Sequence, residues 1–269
     1  MVTKLRAEFL NINTPPHIFT LIVLSGLGAL SLSIFLSSIL EMSVFFNKSY
    51  ALMQLSISLY LITTAFFQII AGPLSDKFGR RIITLFSIMI FIIASLGCFF
   101  STKFEFFIFF RLLQASIAAG FLMSRVIIRD ITSENEAASM IGYVTMGMSI
   151  IPLFAPGIGG LIQMLVGWPS IFLIMSLLGL LLFLLVYRDL GETKIIKINK
   201  NKKSSVSYIY LFKEVKFWGY SLTLAFSAGT FFSFLGGAPY IATKVYELNS
   251  VVSGLVMGFP AAGYFFGNY

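Results

Sequence analysis

Long apolar runs, each separated from the next by a short polar segment, dominate the chain. Eight runs come close to the ~20 residues that an α-helix needs to cross a lipid bilayer. The first run is longer than the core of a secretory signal, and no small-residue cleavage pattern follows it, so we expect it to stay as a membrane span. The pattern predicts an all-α membrane protein held in a lipid bilayer, with spans at residues 18–40, 50–71, 82–101, 105–127, 138–163, 169–187, 217–240 and 249–268.

Composition supports a lipid-embedded chain. Hydrophobic residues make up 58% of the sequence and charged residues 11%, whereas soluble domains are about one-quarter charged. The net charge of +8 comes from basic residues between the apolar runs and not on one face, so we expect no nucleic-acid partner. Neither a metal-ligand cluster nor a phosphate-binding loop or nucleophile–base pair is present in the sequence. We therefore predict no metal site, no cofactor and no enzymatic activity.

The distribution of lysine and arginine predicts the orientation of the spans. Fifteen of the 19 basic residues lie in the N-terminal segment or near the cytoplasmic ends of the second, fourth and sixth runs, if the N-terminus is cytoplasmic. The remaining four are Lys48, Lys103, Arg111 and Lys244. Basic residues are retained on the cytoplasmic side during insertion. We expect a cytoplasmic N-terminus, with Cys98 near the outer end of the third span.

The polar segment after the sixth run divides the chain. We predict an N-terminal six-span bundle at residues 1–187, a basic cytoplasmic linker at 188–216, and two further spans at 217–269. The linker contains a lysine-rich stretch at 194–205. The simplest interpretation is a solvated connector, and the alternative is a segment that lies on anionic lipid headgroups.

A charged segment interrupts the apolar pattern between the second and third runs. It has the sequence GPLSDKFGRR, and it resembles the cytoplasmic-loop signature of the major facilitator superfamily. Five later segments also resemble this family. RLLQASIAAG matches its fourth-span motif, SRVIIRD matches the cytoplasmic end of that span, and IPLFAPGIGGLI with GWPSIF and LGET is similar to drug:proton antiporters of the bicyclomycin-resistance type. The matching residues of the first segment are Gly72, Leu74, Asp76, Lys77, Gly79, Arg80 and Arg81.

The resemblance implies a fold and a function. It implies a major facilitator fold, with a six-helix N-terminal bundle and the first two helices of an incomplete C-terminal bundle. It also implies a multidrug or small-molecule efflux transporter of the bacterial inner membrane that works by alternating access. Relatives have twelve spans, so we expect the chain not to transport by itself, and to be degraded or to pair with a complementary C-terminal fragment. The alternatives are an uptake carrier for a metabolite and a truncated product without transport activity.

The resemblance gives the 72–81 segment the role of a latch. Glycines permit a tight turn, and a carboxylate complements the positive end of a helix. By resemblance, Arg80 pairs with Asp130 at the end of the fourth span. Asp76 then faces the start of the eleventh helix and stabilises the outward-open state. The alternative is that these charges serve only as a topology signal.

Arg111 is a candidate for the transport site because it lies far inside the fourth span. It is 14 residues before Arg125, which corresponds to about 21 Å along a helix. An arginine at that depth must be paired or hydrated. Gln114, one turn away, is placed to share its contacts. The resemblance implies that both residues line the central cavity near the proton-coupling group. The alternative is a structural arginine satisfied by backbone carbonyl oxygens.

The first span departs from the pattern of the relatives. They carry an acidic residue in this span, whereas this chain has Ser33 and Ser37 where Asp and Pro are expected. Glu41 is the nearest carboxylate. If the helix is continuous, Glu41 lies on the same face as Ser33, about 12 Å beyond it. Either Glu41 titrates in an outer vestibule or it is an interfacial glutamate. Protons remain a possible coupling partner only by resemblance.

The fifth span resembles the antiporter motif of the family. Pro152 and Pro156 are expected to kink the helix, and Gly159 and Gly160 are expected to let a neighbouring helix approach closely. Ala155 stands where many relatives have glycine. In the seventh span, a polar stripe is a candidate for the cavity wall or for helix packing. It consists of Ser227, Thr230 and Ser233.

Overall fold

Each of the eight apolar runs forms a helix or a pair of helices in the computed structural model, which describes residues 7–194 and 212–267. Seven segments of this described part are long and apolar enough to cross a membrane, and the last helix has a shorter apolar portion at Ser250–Pro260. The prediction of an all-helical membrane fold is confirmed. The helices are α1 (Ile18–Ser33), α2 (Ile39–Phe45), α3 (Tyr50–Phe78), α4 (Arg80–Phe99), α5 (Phe104–Gln114), α6 (Ile117–Ile131), α7 (Glu134–Val166), α8 (Pro169–Asp189), α9 (Val215–Tyr240) and α10 (Ser250–Gly267).

The first and fourth spans are not continuous helices, and the sequence-based prediction was wrong on this point. A 3₁₀ turn at Leu36–Ser38 separates α1 from α2, and a tight turn separates α5 from α6. Tertiary contacts stabilise the first interruption. The Ser37 hydroxyl donates a hydrogen bond to the Pro156 carbonyl oxygen of α7 at 3.0 Å, and the Ile34 carbonyl oxygen lies directly against Gly159. The first interruption therefore lies where the first span contacts α7.

The turn between the second and third spans is much shorter than predicted. Helix α3 continues through Pro73 to Phe78, and α4 begins at Arg80. Gly79 alone forms the turn, with φ +100°, a backbone conformation that other residues rarely adopt. Gly72 lies inside α3, and nothing is within 4 Å of a Cβ position there. The prediction that Gly72 is part of the turn was therefore wrong.

The core lies among the first six spans. Helix α4 packs along α8, and α1 packs along α7. Aromatic rings fill one end of the bundle, where Phe35, Phe107, Trp168 and Phe172 are buried and in mutual contact. The predicted three-part division of the chain stays a prediction, because most of its 188–216 linker lies outside the described residues.

Helix α9 is mostly exposed, and only 6% of its most apolar 18-residue stretch is buried. Helix α10 packs closely on α7. After α9, the chain makes a π-helical turn at Ile241–Val245. Ser227, Thr230 and Ser233, the predicted polar stripe, are all exposed on α9. The exposed surface of α9 is apolar as well as polar, and it is suited to contact with lipid or other helices.

Candidate functional site

Arg111 is the centre of a buried polar cluster at the interruption of the first and fourth spans. It lies in the last turn of α5, and its side chain is fully buried. Nη2 donates to the Ser31 carbonyl oxygen at 2.8 Å, and Nη1 donates to the Ser31 hydroxyl at 3.3 Å. Ser31 is in the last turn of α1, where carbonyl oxygens carry partial negative charge. The end of α1 therefore offsets part of the arginine charge.

Two aromatic rings complete the surroundings of the guanidinium. Its central carbon lies 4.1 Å from the ring centroid of Phe35 and 4.2 Å from that of Tyr60. Both distances are short enough for cation–π attraction, which strengthens when the groups are desolvated. The Tyr60 hydroxyl donates to Ser31 Oγ at 3.1 Å. Both rings thus contact the guanidinium directly. Tyr60 also hydrogen-bonds to Ser31, the residue that accepts hydrogen bonds from Arg111.

Gln114 connects Arg111 to the preceding helix, α4. Its Oε1 accepts a hydrogen bond from Arg111 Nη1, and its Nε2 donates to Ser95 Oγ of α4 at 2.8 Å. The structure thus joins the two residues that the sequence placed one turn apart. Both are fully buried and enclosed by the helices in this conformation, and the cavity role that the resemblance implies for them stays a prediction.

The charge of Arg111 has no acidic partner in the described part of the chain. The ion pairs found there are Lys48–Glu105, Arg80–Asp76 and Arg80–Asp130. The Nε–H of Arg111 is buried and has no hydrogen-bond partner among the described residues. Such an unsatisfied group on a buried cation is costly in a low-dielectric region.

The other residues predicted for coupling lie apart from this cluster. The Ser33 hydroxyl donates to the Ala29 carbonyl oxygen of its own helix at 2.7 Å. Glu41 is exposed on α2 and accepts a hydrogen bond from Gln163 Nε2 of α7. The prediction that Glu41 follows Ser33 on the same face assumed a continuous helix, which the 3₁₀ turn between them excludes.

The 72–81 segment and the end of the fourth span form an ionic cluster. Arg80 Nε donates to Asp130 Oδ2 at 3.0 Å, and Arg80 Nη1 donates to Asp76 Oδ1 at 2.6 Å. The Asp76 side chain is 69% exposed and that of Asp130 is 20% exposed. Arg81 Nη2 donates to the Tyr187 carbonyl oxygen of α8 at 2.8 Å. The predicted Arg80–Asp130 pair is present, and Asp76 contributes a second carboxylate to the same arginine.

Two acidic residues at the end of the sixth span make contacts that sequence reasoning missed. Glu192 accepts hydrogen bonds from the backbone N–H groups of Arg80 at 2.8 Å and Arg81 at 3.3 Å, at the N-terminus of α4. Asp189 is fully buried and accepts from the backbone N–H groups of Leu10 at 2.7 Å and His17 at 2.9 Å. The sequence signal was a pair of acidic residues immediately after an apolar run.

The fifth-span motif contacts both the first span and α10. Pro152 and Pro156 lie inside α7. A Cβ atom at Gly159 would overlap the Ile34 carbonyl oxygen, and one at Gly160 would overlap the Ser250 carbonyl oxygen. On α10, a Cβ atom at Gly254 would overlap the Pro156 carbonyl oxygen. Glycine is required at these positions because the two backbones lie in direct contact, as the sequence suggested for Gly159 and Gly160.

A second contact joins α3 to α9 at the ends of these helices that lie far from the 72–81 segment. The Gly236 carbonyl oxygen accepts hydrogen bonds from the Tyr50 hydroxyl at 3.1 Å and from Gln54 Nε2 at 2.7 Å. The ring centroids of Tyr50 and Tyr240 are 5.2 Å apart. Near the other ends of the helices, Gly72, Gly142, Gly219 and Gly263 have nothing within 4 Å of a Cβ position. The last two helices therefore approach the first six spans mainly at one end.

The sequence motifs and the fold agree with a comparison against protein families. The model of the Major Facilitator Superfamily matches residues 18–269. The chain belongs to this superfamily. The chain is 32% identical over 248 residues to the uncharacterized MFS-type transporter YdgK of Bacillus subtilis, an alignment that covers 89% of this chain and 61% of that protein. It is also 28% identical over 233 residues to a bicyclomycin resistance protein homolog of Haemophilus influenzae, which covers 85% of this chain and 58% of that protein.

Solved structures of other transporters have the same fold. The crystal structure of a bacterial homolog of the human lysosomal transporter Spinster, in an inward-facing and unoccupied conformation, matches with a TM-score of 0.76 at 19% identity. That match covers 93% of this chain and 60% of that chain. This major facilitator chain thus spans about 60% of the length of the proteins it matches.

Proposed function

We propose that the chain forms the larger part of a small-molecule efflux carrier of the bacterial inner membrane that works by alternating access. The observation that carries the proposal is the one-sided contact between the first six spans and the last two helices. Tyr50 and Gln54 hold the Gly236 carbonyl oxygen at one end, and α7 and α10 are in backbone contact in the same half. Helices that touch at one end and separate at the other are suited to a carrier whose two halves rock about a central site.

The lysine and arginine distribution supports an orientation for this conformation. If the 72–81 segment faces the cytoplasm, the contacts of α3 with α9 and of α7 with α10 lie in the outer half of the membrane. The arrangement is then closed to the outside and open to the cytoplasm. The solved structure of the Spinster homolog is also described as inward-facing.

Export is the favoured direction of transport. The Haemophilus relative carries a name for bicyclomycin resistance, and a Pseudomonas aeruginosa relative, 29% identical over 215 residues, is named a chloramphenicol resistance protein. Gly160 of the fifth span contacts α10 directly, and the segment around it resembles the antiporter motif of the family. Arg111 and its neutral partners form a polar cluster inside the spans, which in a membrane protein marks a site for substrate or ion by default.

The test is extrusion of a labelled drug from a drug-sensitive bacterial host. Residues 1–267 are fused to the remaining spans of the Haemophilus relative, and cellular accumulation of radiolabelled bicyclomycin is measured with and without the fusion. We expect lower accumulation with the fusion and loss of this effect in Arg111→Gln. Higher accumulation would favour the uptake carrier, and unchanged accumulation with correct membrane insertion would favour a protein without transport activity.

A further inference from the structure

We infer that Arg111 binds a monovalent anion, such as the carboxylate of an amphipathic substrate. The guanidinium is fully buried among neutral groups of α1, α3, α5 and the connection that follows α1. Its contacts are the Ser31 carbonyl and hydroxyl oxygens, Gln114 Oε1, and the rings of Phe35 and Tyr60. None of these groups carries a formal negative charge.

Neutral contacts compensate the charge of Arg111 only in part. A helix C-terminus provides about half an elementary charge, and a cation–π contact is weaker than an ion pair. Arginine also remains protonated under all conditions that proteins meet, so it cannot discharge on burial. A full negative charge must come from outside the described residues, and a bound anion supplies it.

The hydrogen bonds of the guanidinium indicate where the anion binds. Nη1 has two acceptors, namely Ser31 Oγ and Gln114 Oε1, while Nη2 has one and the buried Nε–H has none. The Nε–H and the second Nη2 hydrogen are therefore available. A carboxylate pairs with two neighbouring N–H groups of a guanidinium in a planar, bidentate arrangement.

The aromatic rings around the guanidinium indicate the class of ligand. Phe35 and Tyr60 lie within 4.2 Å of the guanidinium carbon, so an aromatic or otherwise apolar body next to the charged group is favoured over a strongly hydrated dianion. The arrangement admits two sources of the same chemistry, an organic carboxylate and free chloride. Because Arg111 is fully buried in this conformation, binding requires the surrounding side chains to move aside.

The experiment measures anion binding by the whole chain in lipid nanodiscs. Thermal unfolding is followed by the fluorescence of Trp168 and Trp218 in sodium benzoate, in its neutral isostere benzamide, and in chloride against gluconate. Ligand that binds only the folded state raises the unfolding temperature, by about 5 °C when its concentration is well above Kd. We expect benzoate to raise it and benzamide not to.

Two variants and one control assign the effect to Arg111. Arg111→Gln removes the charge, and Ser31→Asp places a carboxylate on the residue that already accepts its hydrogen bonds. Both should lose the benzoate response, and Ser31→Asp keeps the test valid if Arg111→Gln fails to fold. Lys103→Gln removes one positive charge at an exposed position before α5 and should keep the response.

Each result supports or overturns the inference. A chloride response that both variants abolish would support it with a small inorganic anion as the ligand. Equal responses to benzoate and benzamide, an unresponsive wild-type chain, or a full benzoate response in Ser31→Asp would overturn it. The inference rests on the proposed function only in treating the anion as substrate, since binding in nanodiscs succeeds or fails independently of drug extrusion in cells.

Discussion

At the scale of single residues, Arg80 shows how exposure decides the strength of an ion pair. Its two carboxylate partners lie at similar distances, 2.6 Å for Asp76 and 3.0 Å for Asp130, but the Asp76 side chain is 69% exposed and that of Asp130 is 20% exposed. Exposed pairs contribute about 0–1 kcal/mol, whereas hydrogen bonds to charged groups in less exposed places contribute about 1.5–3 kcal/mol. Asp130 is thus the main anchor of Arg80.

The first prediction follows from that difference. Asp130→Asn should lower the free energy of unfolding by about 1–3 kcal/mol, and Asp76→Asn by less than about 1 kcal/mol. In the fused carrier, Asp76→Asn should still reduce transport strongly, because the proposed latch role of Asp76 concerns a helix terminus outside this chain. Unfolding curves and drug extrusion measure the two effects. Equal destabilisation by both variants would contradict the ranking.

Glu192 gives the second residue-scale prediction. Its carboxylate accepts hydrogen bonds from the Arg80 and Arg81 backbone N–H groups, which have no partner within α4 itself. Glu192→Ala should speed hydrogen exchange at these two amides and destabilise the chain by about 0.5–2 kcal/mol. Glu105→Ala, which removes an exposed carboxylate that pairs with Lys48, is the control and should leave the Arg80 and Arg81 amides unchanged. Unaltered exchange in Glu192→Ala would show that the cap does not form.

At the scale of helices, the contact between α7 and α10 depends on glycine at defined positions. A Cβ atom at Gly160 would overlap a carbonyl oxygen of α10. Gly142 lies about 27 Å earlier along the same helix, and a Cβ atom there would meet nothing within 4 Å. The same substitution therefore has opposite consequences at the two sites. Packing and not helix propensity decides the result.

The third prediction uses this pair. Gly160→Leu should separate α10 from α7 and make the chain after α8 more sensitive to protease, with a loss of about 2 kcal/mol or more. Gly142→Leu should stabilise α7 by about 0.5–1 kcal/mol, because leucine is the better helix former. Limited proteolysis and thermal unfolding of both variants check the prediction. Equal behaviour of the two variants would mean that the backbones of α7 and α10 are not in contact.

At the scale of the whole molecule, the all-helical fold was predictable because each membrane-spanning segment corresponds to an apolar run in the sequence. All eight runs became helices, and Arg111 was found from its charge inside a run. The interruptions at Leu36–Ser38 and after Gln114 were not predictable, since they depend on contacts such as Ser37 with Pro156. The capping role of Glu192 was missed for the same reason. It lies more than 100 positions after Arg80 in the sequence and meets it only in the fold.

The last prediction concerns orientation in the membrane. Orientation determines whether the end at which the last two helices separate from the first six spans faces the cytoplasm or the outside. Charged residues cluster on the side of the 72–81 segment, where Arg80, Asp130 and Glu192 meet. The opposite side has few basic residues, among them Lys48 in its pair with Glu105. Retention of lysine and arginine on the cytoplasmic side during insertion places the first side in the cytoplasm. A reporter that is active only in the cytoplasm should be active when fused after Lys200 and inactive when fused after Lys103. The reverse pattern would invert the topology, and the α3–α9 and α7–α10 contacts would then close the cytoplasmic side.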